Sequence, residues 1–126
     1  MTLPWPPSNN TYYRNVNGMT LISAAGRRYR RRVLDHMIQL DKAGDQTPDM
    51  GDQRCCVKIE AYPPDKRKRD LDNLFKGTLD ALTHAGVWID DEQIDILMIQ
   101  RMEVVKDGKL LIDIMAAPEP EPVSLT

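Results

Sequence analysis

Two carboxylates follow directly on a run of cations in residues 65–76. Residues 66–69 are all Lys or Arg, Asp70 and Asp72 come next, and Lys76 lies four positions after Asp72. Clustered carboxylates suit a hard divalent cation such as Mg²⁺, which proteins commonly hold between one or two carboxylates and substrate phosphates. Four consecutive cations oppose the dipole of a helix that begins beside them, so an external polyanion explains them better than helix stability does. The pattern indicates chemistry on a phosphodiester.

An amphipathic helix is predicted to position these groups. Apolar residues recur at helical spacing over residues 71–85 and Gly86 is a typical stop, so Asp70 is the expected N-cap. Asp72 and Lys76 share the polar face one turn apart, which lets the two carboxylates and the lysine converge. The alternative is that Asp70 only caps the helix and Asp72 only complements its dipole, each contributing about 1 kcal/mol or less.

A third acidic position follows this helix. Residues 86–89 are typical of a turn leading into a short extended piece, which delivers Asp90, Asp91 and Glu92. An isolated acidic triplet is more often a turn or the first turn of a helix than a metal site. The aspartates at positions 70 and 72 strengthen the hypothesis of metal binding here. His36 and His84 have no partner at metal-ligand spacing and are interpreted as surface or packing residues.

The charge distribution bears on the kind of partner. The chain has a formal net charge of −2 and a pI of about 5.6, which argues against binding nucleic acid. Residues 1–76, however, carry 14 Lys and Arg against 9 Asp and Glu, whereas residues 77–126 carry 3 against 10. Five arginines within six residues exceed what solubility requires, so we interpret both cationic clusters as phosphate-binding. The first cluster comprises Arg27, Arg28, Arg30, Arg31 and Arg32, and the second is residues 66–69.

Length and composition limit the architecture. A chain of 126 residues fits one domain with a real core. Cys55 and Cys56 are adjacent, which suits neither a structural disulfide nor a zinc motif, so both are expected to be reduced packing residues. No apolar run approaches the roughly 18 residues of a membrane span, and the Pro-rich N-terminus does not match a secretory signal. We therefore expect a cytoplasmic protein without a membrane partner.

The first half of the chain predicts strands and one long helix. Residues 1–5 are expected to form a short edge strand, and residues 6–10 a turn without helix. Asn17-Gly18 is typical of a hairpin turn. Ser23 is the expected N-cap of a helix that reaches about position 40, with a buried stripe at Tyr29, Val33, Met37 and Leu40.

The second half adds the rest of a sheet. Residues 41–53 predict a surface loop in which little chemistry is expected, and residues 54–62 a strand that buries every second side chain. Asp107-Gly108 between two apolar alternating runs, 94–105 and 110–115, predicts a β-hairpin. Residues 116–126 are rich in Pro and Glu and are expected to form an extended or disordered tail.

Taken together, these residues closely resemble the RusA family of phage and prophage Holliday-junction resolvases. The resemblance rests on Arg-Asp-Leu-Asp-Asn-Leu at 69–74 with Lys76, and on residues 80–83 and 86–91. It implies a small α+β domain over residues 1–115, with a mixed β-sheet packed by two main helices, that acts as a homodimer. It also implies that Asp70, Asp72 and Asp91 are the essential acidic residues, that Lys76 assists them, and that Asp90 has a supporting or turn role.

The implied function is a structure-selective endodeoxyribonuclease that resolves four-way junction DNA in recombination and repair, by paired nicks in strands of like polarity. The three aspartates would hold Mg²⁺, for which Mn²⁺ can substitute, and no nucleotide cofactor is expected. The protein would act in the cytoplasm of a bacterial host, with a gene of phage or prophage origin. The residues expected to bind DNA are Arg27, Arg28, Arg30, Arg31, Lys66, Arg67, Lys68, Arg69 and Asn73.

Two alternatives remain open from the residues alone. A non-catalytic DNA-binding dimer would use the same arginines for phosphates, while the aspartates would only cap helices and interact with solvent. A metal-dependent nuclease for other branched or flap DNA would carry the same carboxylates, because nothing in the sequence itself encodes four-way geometry. The resemblance alone favours the four-way junction.

Overall fold

A computed structural model describes residues 1–124 of the chain. It confirms the predicted small α+β domain with two main helices. None of the helices described is long and apolar enough to cross a membrane. The elements are β1 (Thr2–Pro4), α1 (Asn9–Tyr12), β2 (Tyr13–Val16), β3 (Met19–Ile22), α2 (Ala24–Lys42), β4 (Cys55–Tyr62), α3 (Asp72–His84), a 3₁₀ turn (Asp91–Gln93), β5 (Ile94–Arg101) and β6 (Lys109–Ala116).

Strand β4 is the centre of a mixed four-stranded sheet in the order β1-β6-β4-β5. It pairs in parallel with β5 and antiparallel with β6, and β6 pairs antiparallel with β1. Alternate side chains of β4 are fully buried, as predicted, and those between them are half-buried. Side chains alternate between the two faces of a strand, so the buried ones share one face, and they belong to the same hydrophobic core as buried residues of both long helices. The residues of β4 on that face are Cys55, Val57, Ile59 and Ala61.

The predicted hairpin between β5 and β6 is wrong, because β4 lies between these two strands. Asp107 and Gly108 do form a turn, with φ values of 65° and 67°. The chain leaving β5, however, first follows the end of β4, where the amide of Met102 donates to the Ala61 carbonyl at 2.8 Å. A turn signal depends only on neighbouring residues, whereas the pairing of strands depends on the whole sheet. Here β4 carries four fully buried side chains and lies between β5 and β6, so both strands pair with β4 and not with each other.

Helix α2 begins as predicted. The Ser23 hydroxyl accepts from the amide of Gly26 at 3.0 Å, which makes Ser23 the N-cap. The expected stripe is buried at Tyr29, Val33 and Met37 and half-buried at Leu40, and the helix continues two residues beyond the expected end. The Tyr29 hydroxyl also donates to the Pro4 carbonyl at 2.8 Å, so α2 is attached to the edge strand β1.

Helix α1 is a single turn that the sequence did not predict. The Ser8 carbonyl accepts from the amides of Thr11 and Tyr12 at 3.0 and 2.8 Å. Residues 6–10 were expected to contain no helix because of Pro6 and Pro7. Both prolines precede the helical turn, where a missing amide removes no helical hydrogen bond, so the expectation was wrong.

Tyr12 is the point where the three helices meet. Its side chain is fully buried, and both long helices present a glycine to it. A Cβ added at Gly26 would lie 2.4 Å from the Tyr12 carbonyl oxygen, and one added at Gly77 would lie 2.6 Å from the Tyr12 ring. These glycines therefore let α2 and α3 approach α1 closely, and they position the residues that flank Tyr12.

The remaining predictions concern peripheral parts. The hairpin at Asn17-Gly18 is confirmed, since β2 and β3 pair across it. Both cysteines are free thiols, Cys55 buried and Cys56 half-buried. Residues 117–124 form neither helix nor strand, and residues 125–126 lie outside the described part of the chain. Disorder of the tail and its separation from the domain at position 116 stay predictions.

Candidate active site at the start of α3

The start of α3 leaves two aspartate side chains unused. The helix begins at Asp72 with Leu71 at the N-cap position, so the prediction that Asp70 is the N-cap is wrong. The reason is that the first turn closes through backbone groups: the Asp70 carbonyl accepts from the Asn73 amide at 3.2 Å, and the Leu71 carbonyl from Leu74 at 3.1 Å. The amide that a capping carboxylate would bind is already engaged, and the Asp70 carboxylate stays exposed.

Asp72 is equally free at its side chain. Within residues 1–124, neither Asp70 nor Asp72 makes a side-chain hydrogen bond or ion pair. The backbone carbonyl of Asp72 accepts from Asn9 Nδ2 at 3.0 Å, which joins the one-turn helix α1 to the start of α3. The Oδ1 atom of Asn9 is buried and has no hydrogen-bond partner in the part of the chain that the structure describes. Oxygen atoms without a hydrogen-bond partner among the described residues therefore lie both on α1, at Asn9, and at the start of α3, at Asp70 and Asp72.

Lys76 does not pair with Asp72, although the spacing allowed it. No ion pair within 4.0 Å joins the two side chains among the described residues. Lys76 Nζ instead lies 5.5 Å from the centroid of the Tyr13 ring, a cation–π contact across a cavity shared with Asn9 and Asn73. The lysine charge is not neutralised by a carboxylate, so it remains available to a phosphate.

The loop that carries Asp91 is anchored by Gln93, which the sequence analysis missed. Gln93 Oε1 accepts from the amides of Ile89 and Asp90, both at 2.9 Å. Its Nε2 atom donates to the carbonyls of Gly51 and Gln53 at 2.9 and 2.8 Å. The side chain is buried, with 6% of its surface exposed. Asp90 and Gln93 three residues later form a capping box, a pattern that could have identified this residue from the sequence.

Two acidic neighbours of Asp91 have structural partners. The Asp90 side chain accepts from the Glu92 amide at 3.0 Å, consistent with its expected turn role. Arg54 donates to both Glu92 carboxylate oxygens at 3.0 and 3.1 Å, and from Nε to Asp95 at 2.9 Å. Arg54 immediately precedes β4, so it fastens the 3₁₀ turn to the central strand. Residues 41–53 were predicted to be a surface loop in which little chemistry is expected, but the carbonyls of Gly51 and Gln53 accept from Gln93 and so help to hold Asp91 in place.

The Asp91 side chain forms no ion pair with the residues that the structure describes. Partial burial raises the pKa of its carboxyl, and the adjacent Asp90 carboxyl and the charge of Asp80 raise that pKa further. Burial also raises the pKa of the Tyr13 hydroxyl, and the charges of Asp80 and Asp91 raise it further. The repulsion at Asp91 therefore comes from the acidic groups of Asp90 and Asp80. A cation bound there would relieve this repulsion.

Asp80, in the middle of α3, is a second residue whose role the sequence did not reveal. Arg30 donates to its two carboxylate oxygens at 2.8 and 3.0 Å, and the Tyr12 hydroxyl donates to one of them. Burial opposes ionisation of Asp80 most strongly, but the hydrogen bonds from Arg30 and Tyr12 together outweigh it and lower the pKa. The pair joins residues 50 positions apart, so no local pattern could indicate it.

The arginine cluster of α2 divides into two groups. Arg30 is directed inward at Asp80 with only 25% of its side chain exposed, so much of its donor capacity is used within the fold. Arg27 donates to the Ile22 carbonyl at 3.0 Å. The other three arginines are exposed and have no hydrogen-bond or ionic partner within residues 1–124, and these are Arg28, Arg31 and Arg32. Phosphate binding by this face stays a prediction, with Arg30 the least available member.

The cations of residues 66–69 also differ from one another. Asp65 forms ion pairs with Arg69 at 2.8 Å and with Arg67 at 3.3 Å. These contacts lower the pKa of the Asp65 carboxyl, and the hydrogen bond from Arg69 has the largest effect. Lys66 and Lys68 are exposed and have no such partner in the described chain. Asn73 borders the cavity that contains Asp70 and also the one that contains Lys76, which places it between the two.

Among the described residues, the oxygen donors at the candidate site do not form a complete cage for a divalent cation. Within residues 1–124, no three His, Cys, Asp or Glu side chains form a preassembled metal site. Mg²⁺ is usually held by only one or two carboxylates together with water and substrate phosphates, so such a cage is not required. The carboxylates of Asp70, Asp72 and Asp91 and the unused Oδ1 of Asn9 are oxygen donors of the kind that a hard cation prefers. That these aspartates bind one together stays a prediction.

Comparison with known proteins shows the family. The family model described as endodeoxyribonuclease RusA matches residues 4–115. A protein of Enterobacteria phage 82 named crossover junction endodeoxyribonuclease is 45% identical over 115 residues, covering 90% of this chain and 91% of that protein. Proteins of the same name from Shigella sonnei and Escherichia coli K12 are 45% and 44% identical over 118 residues, each with 90% of this chain and 91% of the relative covered. The chain belongs to the RusA family of endodeoxyribonucleases.

Proposed function

We propose that this protein is a metal-dependent endonuclease that cuts four-way DNA junctions, in recombination and repair. Family membership supports nuclease chemistry, and the relatives are named for action on crossover junctions. The observation that carries the proposal is the pair of unused carboxylates at the start of α3, beside an unpaired Lys76. A protein that used Asp70 only to cap its helix would engage that carboxylate with a backbone amide, which this chain does not do within its described residues. Asp72 lies in the first turn, where its charge also complements the helix dipole, so the free carboxylate of Asp70 is the stronger support.

The residues have distinct parts in this reaction. Asp70, Asp72 and Asp91 would hold the divalent cation, and Asn9 offers a further oxygen. When bound, the cation would stabilise charge on the phosphate and favour ionisation of the attacking water. Lys76, held over the Tyr13 ring, would neutralise charge that develops on the scissile phosphate. Gln93 and Arg54 act as positioning residues, because they hold the loop that carries Asp91.

A homodimer would suit the substrate. A four-way junction has two-fold symmetry, so a dimer with two-fold symmetry presents equivalent sites to opposing strands and can nick both before the junction dissociates. We expect the chain to be a dimer without DNA, since the spacing of the two sites must exist before the substrate arrives. Light scattering at micromolar concentration measures this, and a monomer would contradict paired cutting. The substrate also favours action in the bacterial cytoplasm, and the phage and Escherichia coli relatives fit a phage or prophage origin.

Incubation of the purified protein with synthetic DNA tests the proposal. The substrates are a four-way junction, a three-way junction and a linear duplex, each with Mg²⁺, with Mn²⁺ or with EDTA. The expected result is symmetric nicking of the four-way junction in both metals and none in EDTA. Equal cutting of the three-way junction would assign a nuclease for branched DNA in general. Tight binding without cutting in any metal would assign a non-catalytic DNA-binding protein.

A further inference from the structure

A cavity of about 300 Å³ lies between the N-terminal segment and the run of cations, beside the candidate active site. Its volume is at the lower end of those of small-molecule sites in proteins. One part of the lining is apolar and includes the buried Leu74 and the half-buried Leu71 and Met102. The rest of the lining includes Trp5, the two acidic residues Asp65 and Glu103, and four cationic side chains, which are Lys66, Arg67, Arg69 and Arg101.

Two flat groups in this lining already face each other. The guanidinium carbon of Arg69 lies 5.7 Å from the centroid of the Trp5 ring. The Arg69 side chain is held in place by its ion pair with Asp65 at 2.8 Å, and it also donates to the backbone carbonyls of Asp65 and Arg67 at 3.2 and 3.3 Å. Holding a long side chain in this way lowers the entropic cost of using it to bind a ligand. The planar groups are therefore in place before any ligand arrives.

The cavity adjoins Asp70, one of the carboxylates that are expected to hold the divalent cation at the scissile phosphate. A second cavity, which contains Asp70, shares Trp5, Arg69 and Leu74 with the first. A strand whose phosphate lies beside Asp70 would thus have a neighbouring nucleotide within reach of the Trp5 cavity. Apolar walls, an aromatic ring and an arginine plane are the features that bind unstacked bases, while nearby cations bind the adjoining phosphates.

We propose that the Trp5 cavity binds a nucleobase unstacked from the DNA strand beside the scissile phosphate. This inference rests on the proposed function and adds a second contact with the substrate. Branch points supply suitable bases, because stacking is interrupted where strands exchange, and extruding a base there costs less than in a continuous duplex. The cavity thereby contributes to selecting branched over linear DNA, which phosphate contacts alone cannot do, since the two share one backbone chemistry.

Photocrosslinking in EDTA tests the contact without requiring cleavage. Four-way junctions carrying a single 5-iodouracil at successive positions around the branch are bound, irradiated and digested, and the modified residue is identified by mass spectrometry. We expect crosslinks to Trp5 from one or two adjacent positions. Crosslinks that never fall on Trp5, whatever the position of the 5-iodouracil, would overturn the inference.

Abasic substitution measures the strength of the contact. Replacing the nucleotide at the crosslinking position by an abasic site should weaken binding in EDTA by about 5- to 150-fold, the range found when the aromatic side chain of one base–aromatic stack is removed. In Trp5→Ala the same abasic site should have little further effect. The matched control is Tyr62→Ala, because the Tyr62 ring also makes a cation–π contact, with Lys109 at 4.9 Å, but lies outside the cavity. Tyr62→Ala should keep the full abasic effect.

A second variant covers the case in which Trp5→Ala does not fold. Arg69→Lys retains the positive charge but lacks the plane that stacks on a base, so it should also lose the abasic effect. An abasic effect that persists in Arg69→Lys or in Trp5→Ala contradicts the inference. If junctions are nicked but the abasic series is flat, the cavity proposal fails and the proposed function stands. If Trp5 crosslinks to the DNA but no junction is nicked, the proposed nuclease function fails and the cavity proposal stands.

Discussion

Helix α3 presents the same side chain in two opposite settings. In the middle of the helix, Asp80 has both carboxylate oxygens engaged by Arg30 and Tyr12. At its start, the carboxylates of Asp70 and Asp72 have no side-chain or backbone partner within residues 1–124. The first setting joins three helices, and the second leaves negative charge exposed beside a run of cations. The carboxylate that Arg30 and Tyr12 engage stabilises the fold, whereas the carboxylates left unpaired are available to a cation.

The largest expected effect comes from removing the unpaired charges. Asp70→Asn, Asp72→Asn and Asp91→Asn keep the size of each side chain but lower its affinity for a divalent cation. Each variant should lose at least about 100-fold in junction cleavage, since even residues that only support metal ligands contribute about 10- to 100-fold. Junction affinity in EDTA should be equal or higher, because negative charge near phosphates is removed.

The control for that series is Asp90→Asn. Asparagine caps a helical turn as well as aspartate does, so the loop should keep its geometry and much of the activity should remain. Nicking rates on four-way junctions with Mg²⁺ measure both effects. Full activity in all three unpaired-aspartate variants would show that the metal site is misplaced.

The second effect is on stability and should appear at Asp80 alone. Asp80→Asn leaves the Arg30 guanidinium partly buried without its counter-charge, which should lower the free energy of unfolding by about 2 kcal/mol. Asp70→Asn replaces an exposed side chain that has no partner and should change stability by no more than about 0.5 kcal/mol. Urea unfolding at neutral pH compares the two variants. Similar losses in both would remove the distinction between paired and unpaired carboxylates.

Local patterns were sufficient for most of the fold. The Ser23 cap, the Asn17-Gly18 hairpin and the alternation in β4 each depend on a few neighbouring residues, and each is confirmed. The pairing of β5 and β6 was mispredicted because it depends on β4, which lies more than 30 residues away in the chain. A turn signal shows where the chain reverses, not which strand it then joins.

The candidate site shows the same limit. Asp70, Asp72, Asp91 and Lys76 could be proposed from the sequence because they lie in short, distinctive runs. The residues that support them could not, since Arg54 contacts Glu92 and Arg30 contacts Asp80 across 38 and 50 positions. The expected cap at Asp70 failed for a local reason, because backbone carbonyls took the amides first. Because these backbone groups close the first turn, the Asp70 carboxylate is not needed as a cap and stays free.

The third effect concerns the cations beside the unpaired aspartates. Lys66 and Lys68 have no ionic partner within the described chain, whereas Asp65 neutralises part of the charge of Arg67 and Arg69. Replacing Lys66 and Lys68 together by Ala should reduce the slope of log affinity against log salt by about 2, if each contacts one phosphate of duplex DNA. Fluorescence anisotropy from low to moderate salt gives the slope. An unchanged slope would assign both lysines to solvation.

The smallest expected effect is the pH dependence of the stability that Asp80, the paired carboxylate, contributes. The pKa of Asp80 is lowered in the folded protein, while in the unfolded chain it should be near the ordinary value of about 3.9. Its ionised form therefore contributes stability that is fully present well above pH 4 and is lost as the pH falls through the folded-state pKa. Since Asp80→Asn lacks this contribution at every pH, the difference in unfolding free energy between wild type and variant should shrink on acidification. Urea unfolding at a series of pH values down to about 3 measures it, and a difference that stays constant would mean that the Arg30 contact does not depend on the charge of Asp80.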